Sequence, residues 1–183
     1  MQEPADRAER AWLEDYEHRF KDQLKANYED PRIRGLVQFR CNNWMDLAQA
    51  VAGGFGASGK DIVRQARFRS ATEVAGEIKR LHGTDVQAIY RYYRKFLPWQ
   101  EPIWDMSLED LPHKMILRTK CLVGECWQKK IAREKDCEEL CWIFCSWDEE
   151  VAKRVNPKIK CEVKKWIAHG SPYCELVWTT QDS

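Results

Sequence analysis

The sequence predicts an α+β domain, in which a helical N-terminal half precedes a small antiparallel sheet packed with a long helix. Three observations support this prediction. Helical periodicity dominates the chain before Pro98, short stretches of alternating polar and apolar residues follow it, and seven of the eight cysteines lie between Cys121 and Cys174. Helices followed by strands are typical of the α+β class.

The first predicted element is an amphipathic helix over residues 5–27, where large apolar residues recur every four positions. The Asp30-Pro31 pair ends it, because the residue before a proline is pushed out of the helical region. We therefore predict an N-terminal helical arm over residues 1–30 and a single α+β domain over residues 31–183. The arm is the predicted contact in any homo-oligomer.

The helical half continues after a loop that runs through residues 41–43. The pattern predicts a short helix over 44–51, a break at the glycines of 53–56, and helices over 60–68, 71–82 and 85–97. The stretch 54–60 has the Gly-x-x-x-x-Gly-Lys spacing of a phosphate loop. Asp61 replaces the Ser or Thr that would bind magnesium, and the preceding residues are helical in pattern, so we interpret this stretch as a helix connection.

The second half contains three predicted strands and one long helix. Residues 113–122 alternate as a half-buried strand, and a helix over 125–155 ends at Asn156-Pro157. A strand near 159–163 and a third strand follow, and in the third Cys174, Leu176 and Trp178 share one face. If Gly170 and Ser171 are the two central turn residues, Cys161 lies near Thr180. The Cα atoms of Cys161 and Cys174 are then roughly 20 Å apart, too far for a disulfide.

Composition excludes several classes of function. The net charge is +1 with both signs well mixed, so no nucleic-acid partner is expected. No apolar run approaches the roughly 20 residues of a membrane span, so no membrane partner is expected either. The N-terminus has neither a basic region nor an apolar stretch, which predicts a cytoplasmic protein with reduced thiols. The nine tryptophans either fill the core or line a pocket for a flat organic ligand.

Three interpretations remain open for the cysteines at 137, 141 and 145, which form one stripe of the long helix. They are core residues, metal ligands, or reactive thiols that face a pocket with His169 nearby. The spacing lacks the close Cys-x-x-Cys pairs of structural zinc sites, so we predict no metal and no cofactor.

Several short motifs resemble those of the L-2-amino-thiazoline-4-carboxylic acid hydrolase-like family of small bacterial proteins. The resemblance covers about residues 113–180, and its hairpin is also similar to that of 4-vinyl reductase-type small-molecule-binding domains. The chain departs from the family pattern at Leu176, where phenylalanine is common, and in its additional cysteines. The motifs are Cys145-Ser146-Trp147-Asp148, Asn156-Pro157, and Gly170 followed four residues later by Cys174.

The resemblance implies an enzyme that hydrolyses a C–N bond of a small cyclic amidine, such as a 2-aminothiazoline carboxylate. Cys145 or Cys174 would be the nucleophile, with His169 nearby. Asp148 would be the general base or would bind the amidinium.

The remaining expectations concern substrate binding. Arg118 would hold a substrate carboxylate, and Trp147 would contact the substrate. Each of these residues also has an interpretation without function. Asp148 would be a solvated helix charge, His169 an exposed residue at a turn, and Arg118 a residue on an exposed strand face.

The resemblance to 4-vinyl reductase-type domains implies a different function. In that interpretation the chain is a small-molecule-binding or sensing module, in which tryptophans form the pocket and cysteines tune it or bind a metal. A third interpretation is a structural protein that docks on another chain through its N-terminal helix.

Overall fold

The computed structural model describes residues 30–95, 107–121 and 136–180 of the 183-residue chain. The predicted N-terminal arm lies outside these residues, apart from Asp30. In chain order the elements are α1 (Pro31–Leu81), α2 (Val86–Arg94), β1 (Ser107–Leu111), β2 (Lys114–Thr119), α3 (Asp136–Val155), β3 (Ile159–Lys165), a short 3-10 helix (Ile167–His169) and β4 (Cys174–Thr180). The predicted α+β class is confirmed. No helix in the described segments is long and apolar enough to span a bilayer.

Helix α1 begins where the sequence predicts a helix end. The Asp30 carboxylate accepts a hydrogen bond from the backbone N–H of Arg32 at 2.9 Å, and Pro31 occupies the first helical position. Both features favour a helix start. The predicted loop at residues 41–43 is therefore wrong, because this segment is inside α1. The predicted helices over 60–68 and 71–82 are likewise one continuous run.

A bend at Gly56 divides α1 into a first arm, residues 31–55, and a second arm, residues 57–81. Gly56 has φ 57° and ψ −131°, a conformation that side chains disfavour. This confirms the break predicted from the glycine-rich stretch. Close to the bend, a Cβ atom on Gly59 would lie 2.2 Å from the Val51 carbonyl oxygen. The close approach of the two arms therefore requires glycine at position 59.

The four described strands form one antiparallel sheet in the order β1-β2-β4-β3. Strands β2, β3 and β4 match the three predicted strands. Strand β1 was not predicted, because Ser-Leu-Glu-Asp-Leu has neither β-branched residues nor a regular alternation. A two-residue turn with His113 at φ 56° folds β1 onto β2, so pairing with its neighbour makes this segment a strand.

The predicted register of the β3–β4 hairpin is wrong by two residues. Cys161 lies opposite Trp178, whereas the prediction placed it near Thr180. The connection is not a two-residue turn, because the 3-10 helix lies between the strands and a bulge interrupts the ladder between Val163 and Lys165. Four residues along β4 still separate Trp178 from Cys174, or about 13 Å. The conclusion that Cys161 and Cys174 form no disulfide is unchanged, and both are thiols.

The core lies between α3 and one face of the sheet. Leu140, Ile143 and Val151 of α3 are buried, as are residues of the facing strands. The predicted shared face of β4 is confirmed by burial. Helix α1 packs along α3, and α2 packs against β2. The buried strand residues that face inward are Met115, Leu117, Thr119, Ile159, Cys161, Cys174, Leu176 and Trp178.

Candidate functional site

A cavity of about 250 Å³ lies between α3, the second arm of α1, α2 and the inner face of β2 and β4. Its apolar and aromatic walls are Tyr93, Leu117, Phe144, Trp147 and Leu176. Its polar, charged and thiol-bearing residues are Arg67, Thr119, Cys121, Cys145, Asp148 and Cys174. A few polar groups in an apolar concavity are typical of small-molecule sites. Four predicted site residues, Cys145, Trp147, Asp148 and Cys174, therefore line one cavity.

The Asp148 carboxylate is the acidic group of the cavity. The Tyr93 hydroxyl donates a hydrogen bond to its Oδ1 atom. Burial raises the pKa of Asp148 from 3.8 to about 6, against the opposing effects of the Tyr93 hydrogen bond and the Arg67 charge. Burial also raises the pKa of Tyr93 well above its ordinary value, with Asp148 adding to the shift. Near neutral pH the pair is therefore a carboxylate with a neutral phenol beside it.

The two predicted nucleophiles both lie in the cavity wall. A hydrogen bond with the neighbouring Cys141 thiol, together with burial and the Asp148 charge, raises the pKa of Cys145 well above its usual range. Burial raises the pKa of Cys174 to about 11, although the Ile167 N–H donates to its Sγ atom at 3.4 Å. Since the thiolate is the reactive form, both side chains are neutral thiols near pH 7.

Arg67 is a charged residue of the cavity that sequence reasoning missed. Its guanidinium carbon lies 4.3 Å from the ring centre of Phe144, 5.3 Å from that of Trp147 and 5.9 Å from that of Trp44. Burial lowers the pKa of Arg67 and Asp148 opposes this effect, but a guanidinium keeps its proton in proteins. The same side chain also lines a second concavity of about 380 Å³ between the two arms of α1.

Tyr93 is the second residue that the sequence did not reveal. It stands in a run of aromatic and basic residues, which at helical spacing predicts only an apolar face and a solvated face. Arg67 carries no signal at all, because it is one of several arginines on α1. Both residues become identifiable only when α1, α2 and α3 are brought together around Asp148.

The structure places Arg118 and His169 away from the cavity lining. Arg118 points from β2 to the opposite face of the sheet, where it forms ion pairs with Glu109 and, at 2.6 Å, with Glu175. His169 lies on the 3-10 helix with its side chain 59% exposed, and its Nε2 atom is 2.7 Å from Glu138. Its ring packs edge-on against Trp166, with 4.4 Å between ring centres.

The thiols that the structure describes do not form a recognisable metal centre. Within residues 30–95, 107–121 and 136–180, no group of three or more His, Cys, Asp or Glu side chains is arranged to hold a metal ion. The side chain of Cys137 lies outside the described residues. Cys141 and Cys161 are buried in the core next to the cavity.

These features define an α+β domain with a small aromatic cavity. The cavity contains the carboxylate of Asp148 and the guanidinium of Arg67, which aromatic rings surround. The sequence assigns this domain to a family. Residues 44–178 match the L-2-amino-thiazoline-4-carboxylic acid hydrolase family. The chain belongs to this family, which confirms the resemblance found in the motifs and extends it into the helical half. No curated protein matches the chain in sequence.

Two solved structures are similar to this chain to different degrees. The phenol-responsive sensory domain of the transcription activator PoxR, solved with phenol, superposes with a TM-score of 0.52 at 10% identity, covering 76% of this chain and 74% of that one. A trafficking protein particle complex subunit 3 from Naegleria fowleri, covalently bound to palmitic acid, gives a TM-score of 0.43 at 11% identity, covering 86% and 97%. At such identities the PoxR likeness concerns the fold alone.

Proposed function

We propose that the cavity binds a small cyclic amidine, of the 2-aminothiazoline carboxylate type, and that the protein hydrolyses a C–N bond of this ligand. The observation that carries the proposal is the Asp148 carboxylate, which lies in an aromatic cavity with a pKa of about 6. General acid–base catalysis is most efficient when the pKa of the group lies near the working pH. Membership of a hydrolase family supports the reaction type.

The negative charge of Asp148 suits two roles, which are to bind a cationic substrate and to take a proton from water. An amidinium is a planar cation, and a carboxylate pairs with it through charge-assisted hydrogen bonds. In the proposed reaction the oxygen of a water molecule bonds to the amidine carbon while the Asp148 carboxylate takes a proton from that water. The resulting carboxylic acid then gives a proton to the ring nitrogen as the C–N bond breaks. The carbon keeps its sulfur and its exocyclic amino group, and it becomes a carbamoyl carbonyl as its hydroxyl proton passes to the released amine.

The state of the thiols favours this route over a covalent one. A covalent route needs a thiolate at Cys145 or Cys174, and both thiols have a raised pKa. Cys145 and Cys174 then shape the cavity next to the substrate. His169 and Arg118 have no part in the proposed chemistry, because neither lines the cavity.

Turnover of L-2-amino-thiazoline-4-carboxylate, followed by mass spectrometry of the ring-opened product, tests the proposal. We expect Asp148→Asn to reduce kcat/KM by at least about a hundredfold, the usual contribution of a general base. Glu149→Gln is the matched control, because Glu149 is the next acid on α3 and forms an ion pair with Lys153. An Asp148→Asn variant as active as the parent protein would refute the proposed role, as would absence of turnover by the parent protein.

A second candidate function is ligand binding without turnover. The predominantly apolar cavity wall favours it, as does the fold shared with a sensory domain that was solved with phenol. Calorimetric titration with phenol separates the two functions. Phenol binding by a protein that leaves the aminothiazoline intact would support a binding or sensing module.

A further inference from the structure

Arg67 is a cation held in place by aromatic rings. Phe144, Trp147 and Trp44 surround its guanidinium at 4.3–5.9 Å between the guanidinium carbon and each ring centre. Cation–π contacts of this kind fix the position of a guanidinium without neutralising it. The charge therefore remains available to a ligand in the cavity that Arg67 lines.

Two N–H donors, one on Arg67 and one on the neighbouring Trp147, lack a hydrogen-bond acceptor in the described parts of the chain. Arg67 Nη2 reaches the Phe144 carbonyl oxygen at 3.5 Å, a long contact. Arg67 Nε and Trp147 Nε1 are both buried, and neither has a hydrogen-bond partner in the described parts of the chain. Within those parts Arg67 also forms no ion pair. Buried donors are normally satisfied, so two orphan N–H groups on residues that line one cavity point to these residues as the place for an acceptor.

We propose that Arg67 and the indole N–H of Trp147 form a subsite for a planar oxyanion, a carboxylate in the first instance, within the cavity. The planar fork of a guanidinium matches a carboxylate in two parallel hydrogen bonds. This inference rests on the proposed function, because the ligand is the one that occupies the Asp148 cavity. It assigns substrate specificity to Arg67: the carboxylate of the ligand binds Arg67 while its cationic part binds Asp148.

The subsite also replaces the carboxylate anchor expected from the sequence. Arg118 already has two carboxylate partners, Glu109 and Glu175, on the other face of the sheet. Arg67, in contrast, has no carboxylate partner in the described parts of the chain. It lines both the cavity and the second concavity between the arms of α1.

Three flat probes of nearly equal size test the subsite: benzoate, benzamide and benzamidine, titrated by calorimetry at pH 7.5. We expect Arg67→Gln to weaken benzoate binding by about tenfold to a hundredfold, the usual value of a charge-assisted hydrogen-bonded pair. Benzamide binding should change little, which also shows that the variant is folded. Arg67→Lys should recover only part of the benzoate affinity, because an ammonium lacks the fork. Trp147→Phe, which keeps an aromatic ring but removes the N–H, should weaken benzoate more than benzamide.

Arg69→Gln is the matched control, since Arg69 is an exposed arginine on the same arm and lines neither concavity. Equal losses for benzoate and benzamide in Arg67→Gln, or no benzoate binding by the parent protein, would overturn the subsite. Failure of the proposed function looks different: benzoate binding would still depend on Arg67 while the aminothiazoline remained intact. Benzamidine gives the complementary result, because its binding should depend on Asp148 and should not weaken in Arg67→Gln.

Discussion

The Tyr93 hydroxyl donates a hydrogen bond to the carboxylate of Asp148, joining α2 to α3 at the wall of the cavity. This contact stabilises the charged carboxylate, and burial acts against it. Burial has the larger effect, so the pKa of Asp148 rises to about 6 and the group changes charge just below neutral pH. The acid is therefore suited to exchange protons with a ligand.

The rate of hydrolysis should follow this titration. If the ionised carboxylate takes the proton from water, kcat/KM should rise as pH increases from 5 to 7 and level off above an apparent pKa of about 6. Tyr93→Phe removes a hydrogen bond that favours the ionised form, so it should move the midpoint to higher pH. Initial rates over this pH range provide the measurement. A flat profile, or a midpoint near the ordinary value of 3.8, would contradict the assignment.

The stability of the fold should also depend on the charge of Asp148. The ionised form that favours catalysis should lower the free energy of unfolding. The pKa of Asp148 is higher in the folded state than the 3.9 or so of an unfolded chain, so ionisation costs folding free energy above pH 6. Asp148→Asn keeps an acceptor for Tyr93 and removes the charge. At pH 7.5 it should raise the free energy of unfolding by as much as about 3 kcal/mol, from a shift of about two pKa units at 1.36 kcal/mol each.

Urea titrations at pH 7.5 and pH 5 provide the measurement, with Glu149→Gln as the control on the same helix. The gain should fall to roughly half by pH 5 and become negligible near pH 3, because Asp148 is then protonated in both states. If Asp148→Asn raised the free energy of unfolding equally at both pH values, the charge of the Asp148 carboxylate would not be the cause of that increase. A less stable Asp148→Asn protein at pH 7.5 would argue against a costly buried charge.

The cavity thiols should be slow to react in the folded protein. Burial raises the pKa of Cys174 to about 11, and that of Cys145 also lies well above its usual range. Alkylation by iodoacetamide at pH 8 should therefore label these two cysteines at least about tenfold more slowly than in urea-unfolded protein. Mass spectrometry of peptides after timed quenching gives both rates. Rapid, selective labelling of Cys145 or Cys174 near pH 6.5 would instead restore the thiolate nucleophile expected from the sequence.

Alternation and helical stop signals allowed much of the fold to be predicted from the sequence. Cys174, Leu176 and Trp178 alternate in sequence and share the buried face of β4, because side chains of a strand point to alternate faces. The hairpin register was beyond such reasoning. It depends on the 3-10 helix and the bulge, which add residues to the connection without leaving a hydrophobic pattern.

The candidate site was predictable only where its residues are close in sequence. Cys145, Trp147 and Asp148 belong to one short motif of α3, and all three line the cavity. Arg67 and Tyr93 come from two other helices, and only tertiary packing brings them to Asp148. Long-range contacts of this kind leave no periodic signal in a single sequence.

The bend of α1 provides a test of the scaffold that carries Arg67. A Cβ atom at position 59 would overlap the Val51 carbonyl oxygen at 2.2 Å, and backbone cannot move aside as a flexible side chain can. Gly59→Ala should therefore force the two arms apart and lower the free energy of unfolding by about 2 kcal/mol or more, as overpacking does.

Gly53→Ala is the matched control in the first arm. Gly53 is helical and its Cβ position is open, so alanine should be neutral or should stabilise the protein by about 0.5–1 kcal/mol through its higher helix propensity. Thermal and urea unfolding of the two variants measure the difference. Because Arg67 lies on the second arm, Gly59→Ala should also weaken benzoate binding, whereas Gly53→Ala should leave it unchanged. Equal stability of the two variants would mean that the arms do not approach as closely as the contact between Gly59 and Val51 requires.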